Sequence, residues 1–269
     1  MNLDLDAYFA RIGYQGPREP TLGVLKAIHA LQPAAIPFEN LDPLLERPVR
    51  LDLDSLQAKL VEGGRGGYCF ELNGLFRAAL DVIGFRLTPL IGRVRWMAPP
   101  ERPEGPRSHM LMRIELPEGP FLADVGFGGY LVAEPLRFEL EVEQATPGGL
   151  HRIVADGPVH TLQVRLAPGW QDVYRFTLEP AFQADYESGN WWTSTHPTSL
   201  FRNALLIERL TPGARYSLLN NRLVERRGGE VIERVLADAS ALGAVLEDVF
   251  GLASPAPAEV VWARLPKQP

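Results

Sequence analysis

Apolar positions change their spacing near residue 85. Before it they recur at helical intervals; after it they alternate. The strongest helical signal is Leu72, Leu75, Phe76, Ala79 and Ile83, at i, i+3, i+4, i+7 and i+11 on one face. Gly84 supplies the stop, and Cys69 lies in the first turn or just before it. Shorter helices are expected over Leu5–Ile12, closed by Gly13, and over Leu22–Leu31, capped by Thr21 and ended by Pro33. A third runs from Leu56 to Val61, opened by Asp54 or Ser55 and stopped by Gly63 and Gly64.

From Phe85 the period falls to two. Leu87–Val94 is rich in strand formers, and Met97–Arg107 is a proline-dense loop. Met110, Met112, Ile114 and Leu116 alternate, then Pro117-Glu118-Gly119-Pro120 turns the chain back through Leu122 and Asp124. Further alternation at Leu162, Val164, Leu166 and at Tyr174, Phe176, Leu178 predicts an antiparallel sheet curled into a barrel. Beyond Pro180, Tyr186–Thr195 is short and aromatic. Leu205–Leu210, Tyr216–Arg222 and Val231–Leu236 read as strands, with Arg227-Gly228-Gly229-Glu230 as a hairpin turn. Asp238 is placed to cap a last helix through Phe250, and the Pro/Ala-rich residues from Ser254 onward are expected to wrap the surface. The chain shows no internal repeat.

Composition narrows the class. With 269 residues, 46% hydrophobic and 22% charged, the chain can bury a sizeable core and form two or three packed units. A net charge of -6 argues against nucleic acid as the main partner, since phosphate backbones call for dense Lys/Arg surfaces. No apolar run is long enough to span a bilayer, and Asp4 and Asp6 spoil a signal-peptide reading, so no membrane partner and a cytoplasmic location are expected. A single cysteine forms neither an internal disulfide nor a multi-cysteine zinc site. His29, His109, His151, His160 and His196 include no i, i+4 pair, so no metal is expected.

Three residues could carry chemistry together. Cys69 lies at a helix N-terminus, which stabilises a thiolate, and two glycines before it let the backbone bend. A free cysteine is equally at home as a buried, inert thiol. His109 starts a strand after a long loop, where it could face a cleft. Asp124 is an acid in an apolar strand, expensive unless paired; it could pair with His109 or simply tie down the glycine turn after it. Counted from the turn, the two are not strictly opposite, so contact calls for a longer loop, a bulge or twist. Cys, His and Asp in concert would make a nucleophile, its base and an orienting acid. Gly126-Phe127-Gly128-Gly129 lacks a phosphate-loop ending and reads as a tight turn bordering the cleft. Trp191-Trp192 reads as packing between units, and Arg226-Arg227 as a solvated hairpin tip.

Taken whole, Arg65-Gly66-Gly67-Tyr68-Cys69-Phe70-Glu71-Leu72-Asn73 closely resembles the signature of the arylamine N-acetyltransferases. Ile36-Pro37-Phe38-Glu39-Asn40-Leu41, Asp124-Val125-Gly126-Phe127-Gly128 and Ser194-Thr195-His196-Pro197-Thr198-Ser199-Leu200-Phe201 resemble three further elements of that family, in the same order. The resemblance implies an α+β fold: an N-terminal helical bundle (1–84), a central antiparallel β-barrel (85–190) and a C-terminal α/β lid (191–269), around a papain-like, cysteine protease-like core. It implies acetyl-CoA as donor, a small aromatic amine or hydrazine as acceptor, and Cys69, His109 and Asp124 as the triad. By the same matching, Phe38, Phe127 and Phe201 line the acceptor pocket, with Val94 and Ser108 nearby. Gly126 and Gly128 are the candidate coenzyme contacts. Two departures fall on the coenzyme side: Gly129 stands where many members carry a polar residue, and the interdomain insertion of the mammalian enzymes is missing. A thiol hydrolase with the same triad and an amide synthase closing a polyketide macrolactam are the alternative activities.

Overall fold

Helix α5 (Cys69–Ile83) is the centre of the first core, and the other N-terminal elements pack round it. They are α1 (Leu5–Ile12), α2 (Leu22–Ala35), β1 (Phe38–Glu39), α3 (Leu41–Leu44) and α4 (Leu53–Leu56), the last running into a π-helical turn, Gln57–Glu62. The computed structural model describes residues 3–99, 101–167 and 169–266. As expected, Gly13 and Gly84 end their helices in the left-handed conformation, and Thr21 caps α2. Two expectations shift. Pro33 does not end α2: it sits in the last turn, where one missing backbone donor is tolerated and the helix runs on to Ala35. Asp52, not Asp54 or Ser55, caps α4, because its side chain accepts the Ser55 N–H at 2.9 Å.

The middle of the chain is an eight-stranded antiparallel sheet, nearly closed into a barrel. Its strands are β2 (Arg86–Val94), β3 (His109–Leu116), β4 (Gly119–Ala123), β5 (Leu136–Arg137), β6 (Gln144–Thr146), β7 (Gly149–Asp156), β8 (Val159–Arg165) and β9 (Trp170–Phe176). They lie in the order β5-β4-β3-β2-β9-β8-β7-β6. The ends β5 and β6 are joined by the Gln144 side chain, which accepts the Arg137 N–H and donates to the Arg137 carbonyl, both at 2.8 Å. Strand β3 is covered on both faces. Met110, Met112 and Ile114 pack against the helices, while Leu111 turns into the barrel with Leu90, Leu162 and Val173.

Helices α6 (Gln183–Thr195) and α7 (Leu200–Asn203) lead into a second sheet. It is formed by β10 (Leu206–Thr211), β11 (Ala214–Leu219), β12 (Arg222–Arg227) and β13 (Glu230–Val235), with β1 on the β10 edge. One face of this sheet, through Ile207, Leu218 and Leu223, is buried against α8 (Ala239–Ala244), the π turn Val245–Val249 that follows, and α9 (Ala258–Trp262). Asp238 caps α8 as expected, and the run ends at Phe250. The tail beyond Ser254 is ordered by α9, whose Val261 is buried; residues 267–269 of it lie outside the described residues.

The N-terminal unit meets the second sheet through a close backbone approach. Gly67 accepts the Glu39 N–H at 2.9 Å, and a Cβ on Gly66 would stand 2.2 Å from the Pro37 carbonyl oxygen. Backbone cannot yield there as a side chain could. Gly66→Ala should therefore lower the urea midpoint by the equivalent of about 1–3 kcal/mol, the usual cost of overpacking. Gly105→Ala, with nothing within 4 Å of the added carbon, should stay within roughly 0.5 kcal/mol of wild type. Equal midpoints for the two variants would refute the packing argument.

Candidate active site

Cys69 is the first residue of α5 and only 4% exposed. The turn before it rests on buried charge. Glu71 accepts the Tyr68 N–H at 3.1 Å and binds Lys59 Nζ at 2.6 Å; Lys59 also reaches Asp42 at 2.7 Å. Arg65 binds Glu39 at 2.7 Å and Asp42 at 3.2 Å. Burial pushes the Glu71 carboxyl up despite Lys59, whereas facing acids overcome burial and hold Lys59 above its ordinary value. Two cations and three acids thus share one site, and each carboxylate finds a donor.

His109 begins β3, and Asp124 follows the last residue of β4. The ladder runs without a shift from Leu116↔Gly119 to Met112↔Ala123, so Asp124 comes level with Leu111, two residues from His109 on the same face. Neither bulge nor longer loop is needed: a diagonal contact joins them, and the turn itself is only Pro117-Glu118. His109 Nε2 lies 2.7 Å from Asp124 Oδ2, and the Cys69 side chain is near enough to act on the charge of the imidazole. The Cys69 Sγ lies 3.4 Å from the Ser108 carbonyl oxygen.

Electrostatics follow from this pairing. Burial works against a charged His109, but the charge and hydrogen bond of Asp124, with the nearby Cys69, overcome it, so its pKa is raised. Burial likewise disfavours a charged Asp124, but His109, the Asn73 amide and the Gly126 N–H hold its carboxyl below the usual range. Asn73 had no role assigned from sequence, yet it donates to Asp124 Oδ1 at 2.8 Å and to the Met110 carbonyl at 2.7 Å, and accepts the Val125 N–H at 2.9 Å. Its signal was a polar side chain one helical turn from Cys69, followed one turn on by the apolar Phe76. Tyr174 was also unforeseen; its ring lies 4.7 Å from that of His109.

These groups open onto a cavity of about 1800 Å³. Phe38, Val94, Ser108, Phe127 and Phe201 all line it beside Cys69 and His109. Phe38 and Phe201 meet edge to face at 5.7 Å, and Phe127 meets His109 edge to face at 5.1 Å. Gly126 and Gly128 line it too, and packing requires both to be bare. A Cβ on Gly126 would lie 2.9 Å from Cys69 Cα, and one on Gly128 2.3 Å from the Phe38 ring. The tryptophan pair divides. Successive helix positions point about 100° apart, so Trp191 is 65% exposed while Trp192 lines the cavity and stacks on His196 at 5.2 Å. Arg226 and Arg227 are exposed at the hairpin tip, as expected, and stand on the rim of the cavity.

A family model describing N-acetyltransferases matches residues 21–257. The chain is 42% identical over 250 residues to an arylamine N-acetyltransferase of Escherichia coli (strain K12), covering 92% of this chain and 88% of that protein. It aligns with the solved arylamine N-acetyl transferase of M. smegmatis at a TM-score of 0.93 and 37% identity, covering 98% of each chain. The Mycobacterium marinum arylamine N-acetyltransferase, solved in complex with CoA, also gives 0.93, at 39% identity over 97% of this chain and 98% of that one. The match encloses the segments bearing Cys69, His109 and Asp124, and the α+β fold agrees throughout: the chain belongs to the arylamine N-acetyltransferases, a family of acyltransferases.

Proposed function

We propose that this chain moves an acetyl group from acetyl-CoA to arylamines, arylhydrazines or N-hydroxyarylamines through a thioester on Cys69. The observation that carries the reading is that His109, paired with Asp124 at 2.7 Å, and Cys69 line one aromatic-walled cavity. The CoA complex of the Mycobacterium marinum relative supports the choice of donor.

Asp124 holds His109 by Nε2 and favours its cationic form, and in this scheme Cys69 attacks as the thiolate with its proton passed to that ring. The thiolate attacks the thioester carbonyl; the carbon–sulfur bond to CoA breaks, and the departing CoA sulfur takes the proton from His109. An amine then attacks the acetyl-cysteine. His109 accepts its proton, and the Cys69 sulfur leaves. One site serves both halves, so the kinetics are ping-pong. The N–H of Cys69 is an oxyanion donor in this scheme, because the first turn of a helix supplies its N–H groups with no acceptor. Phe38, Phe127 and Phe201 favour a flat ring, and aryl amines are neutral at pH 7 where alkyl amines, like lysine, are protonated. In this reading residues 1–84 supply the nucleophile, 85–190 supply His109 and Asp124, and 191–269 cover the cleft.

Two measurements test the scheme. Intact mass after mixing with acetyl-CoA alone should show one acetyl adduct, absent in Cys69→Ala and discharged by aniline. An adduct lost without amine would indicate a hydrolase, and reaction only with a carrier-bound acyl chain would indicate an amide synthase. An adduct retained in Cys69→Ala would end the proposal.

The second is an NMR titration of the His109 ring. It should stay cationic through neutral pH in wild type and titrate lower in Asp124→Asn, because the largest opposition to burial is then lost. Since the folded value is raised, stability from the pair is complete below an ordinary imidazole pKa of about 6.5 and lost as pH climbs through the folded value. A wild-type His109 that titrates below about 6.5 would contradict the cationic resting state.

A further inference from the structure

Gln144 ties the two ends of the barrel sheet together, and β1 continues the second sheet on its β10 side, where Phe38 is itself bridged to Gly67. The opposite end of the second sheet has no such cover. Strand β13 is its last strand, and among the described residues no element pairs with its outer edge. All six of its residues are exposed. Val231 is 62% exposed, and Ile232 and Val235 are each 58% exposed. An open edge rich in β-branched side chains is a template for another strand.

The hairpin turn decides which backbone groups face outward. Gly228-Gly229 is a two-residue turn with φ of 58° and 88°, so Arg227 and Glu230 form the hydrogen-bonded pair that closes it. Even positions of β13 therefore bond to β12. The far end keeps the same phase, since the Leu236 N–H donates to the Asn221 carbonyl at 2.8 Å. The N–H and C=O groups of Val231, Glu233 and Val235 are left pointing away from the sheet. Charge is left over as well. Arg222 binds Glu233 at 2.6 Å and Arg227 binds Glu225 at 3.0 Å, but among the described residues Glu230 and Arg234 make no ion pair.

We propose that β13 pairs antiparallel with β13 of a second copy of this chain, centred on Ile232. Outward groups must meet outward groups, so only registers that keep odd positions opposite odd ones are open. Centred on Ile232, the pairing sets Glu230 of each copy opposite Arg234 of the other, twice by symmetry. These are the pairs without backbone bonds between them, where side chains come closest. Moving the centre to Glu233 sets that acid against itself, and moving it to Val231 leaves no charge facing its opposite. Glu233 comes only diagonal to its copy and is already neutralised by Arg222. The two-fold axis stands perpendicular to the joined sheet, so both clefts open on one side. Val231 lines the cavity, and the second copy's strand lengthens that wall. A single strand pair is a small interface, which places the association in the weak, reversible class.

The test is sedimentation equilibrium of the full-length chain at micromolar to millimolar concentration. Wild type should show a reversible monomer–dimer equilibrium. Glu230→Arg, which faces Arg234 twice, and Arg234→Glu, which faces Glu230 twice, should each weaken it about tenfold or more. Combining the two substitutions restores both ion pairs with their signs exchanged, and should bring the dimer back to near wild-type affinity. A misfolded single variant could not be rescued in this way, so recovery reports the pairing itself. Ile232→Lys, which sets two cations together on the axis, should abolish the dimer. A wild type that stays monomeric at every concentration would overturn the proposal. Single variants that associate as wild type does would show that the copies meet through another surface, and a double variant no better than the singles would rule out this register; either result overturns it too.

Discussion

Asp124 is 2% exposed and kept charged, and the site is arranged around satisfying that one carboxylate. An isolated buried charge would cost several kcal/mol, so it survives only with partners. Those partners come from separate elements: His109 from β3, Asn73 from α5 and the Gly126 N–H from the following turn. Even its backbone is held, since its N–H donates to His29 Nε2 of α2 at 3.2 Å. Burial drives the His29 pKa down to about 4, which keeps that ring neutral and able to accept. Satisfying Asp124 therefore locks the helical unit to the barrel. Removing one partner of such a pair typically costs about 3–5 kcal/mol, so the contact is structural as much as chemical.

The approach that this requires is made by bare backbone. Gly126 brings the aspartate turn against Cys69 Cα, and Gly128 lets the same turn pass the Phe38 ring. Glu208 then holds the far end, accepting the Gly129 N–H at 2.6 Å while binding Arg215. Glu208 is also the residue opposite Phe38. One short turn is thereby fixed to the Cys69 helix, to the Phe38 ring and to the second sheet at once.

Much of this was legible in the chain because its signals are local. The apolar face of α5, its Gly84 stop and the alternation of Met110, Met112 and Ile114 each follow from side chains near in sequence. Elements that depend on distant packing were harder. Helix α6 carries mostly polar residues with tryptophans side by side, so no apolar stripe announces it. Strands β6 and β7 earn their place by closing the barrel, and only His151 and Ile153 of β7 are buried. The π turns after α4 and α8 follow the cap residues without a sequence mark of their own. At the site, the identities of Cys69, His109 and Asp124 were readable; the diagonal register joining two of them was not, because it depends on whether the turn takes two residues or four. Asn73 went unassigned because its three bonds all reach across to another unit.

A cysteine, a histidine and an aspartate serve hydrolases as readily as transferases, so selectivity depends on what reaches the sulfur. Here His109 and Cys69 lie nearly out of water, and the rings of Phe38, Phe127, Phe201 and Tyr174 occupy the space beside them. A water molecule arriving there gives up hydrogen bonds that these rings cannot return, whereas an aromatic amine gains contacts as it enters. For the thioester proposed on Cys69, that difference favours aminolysis without any special group to repel water. The second sheet makes this arrangement stable. Its buried face is glued to α8 and α9, which leaves the opposite face free to wall the cleft without risk to the fold. Alternation along β10, β11 and β12 thus puts Ile207, Leu218 and Leu223 in the second core and turns Glu208, Ser217 and Val224 toward the cavity.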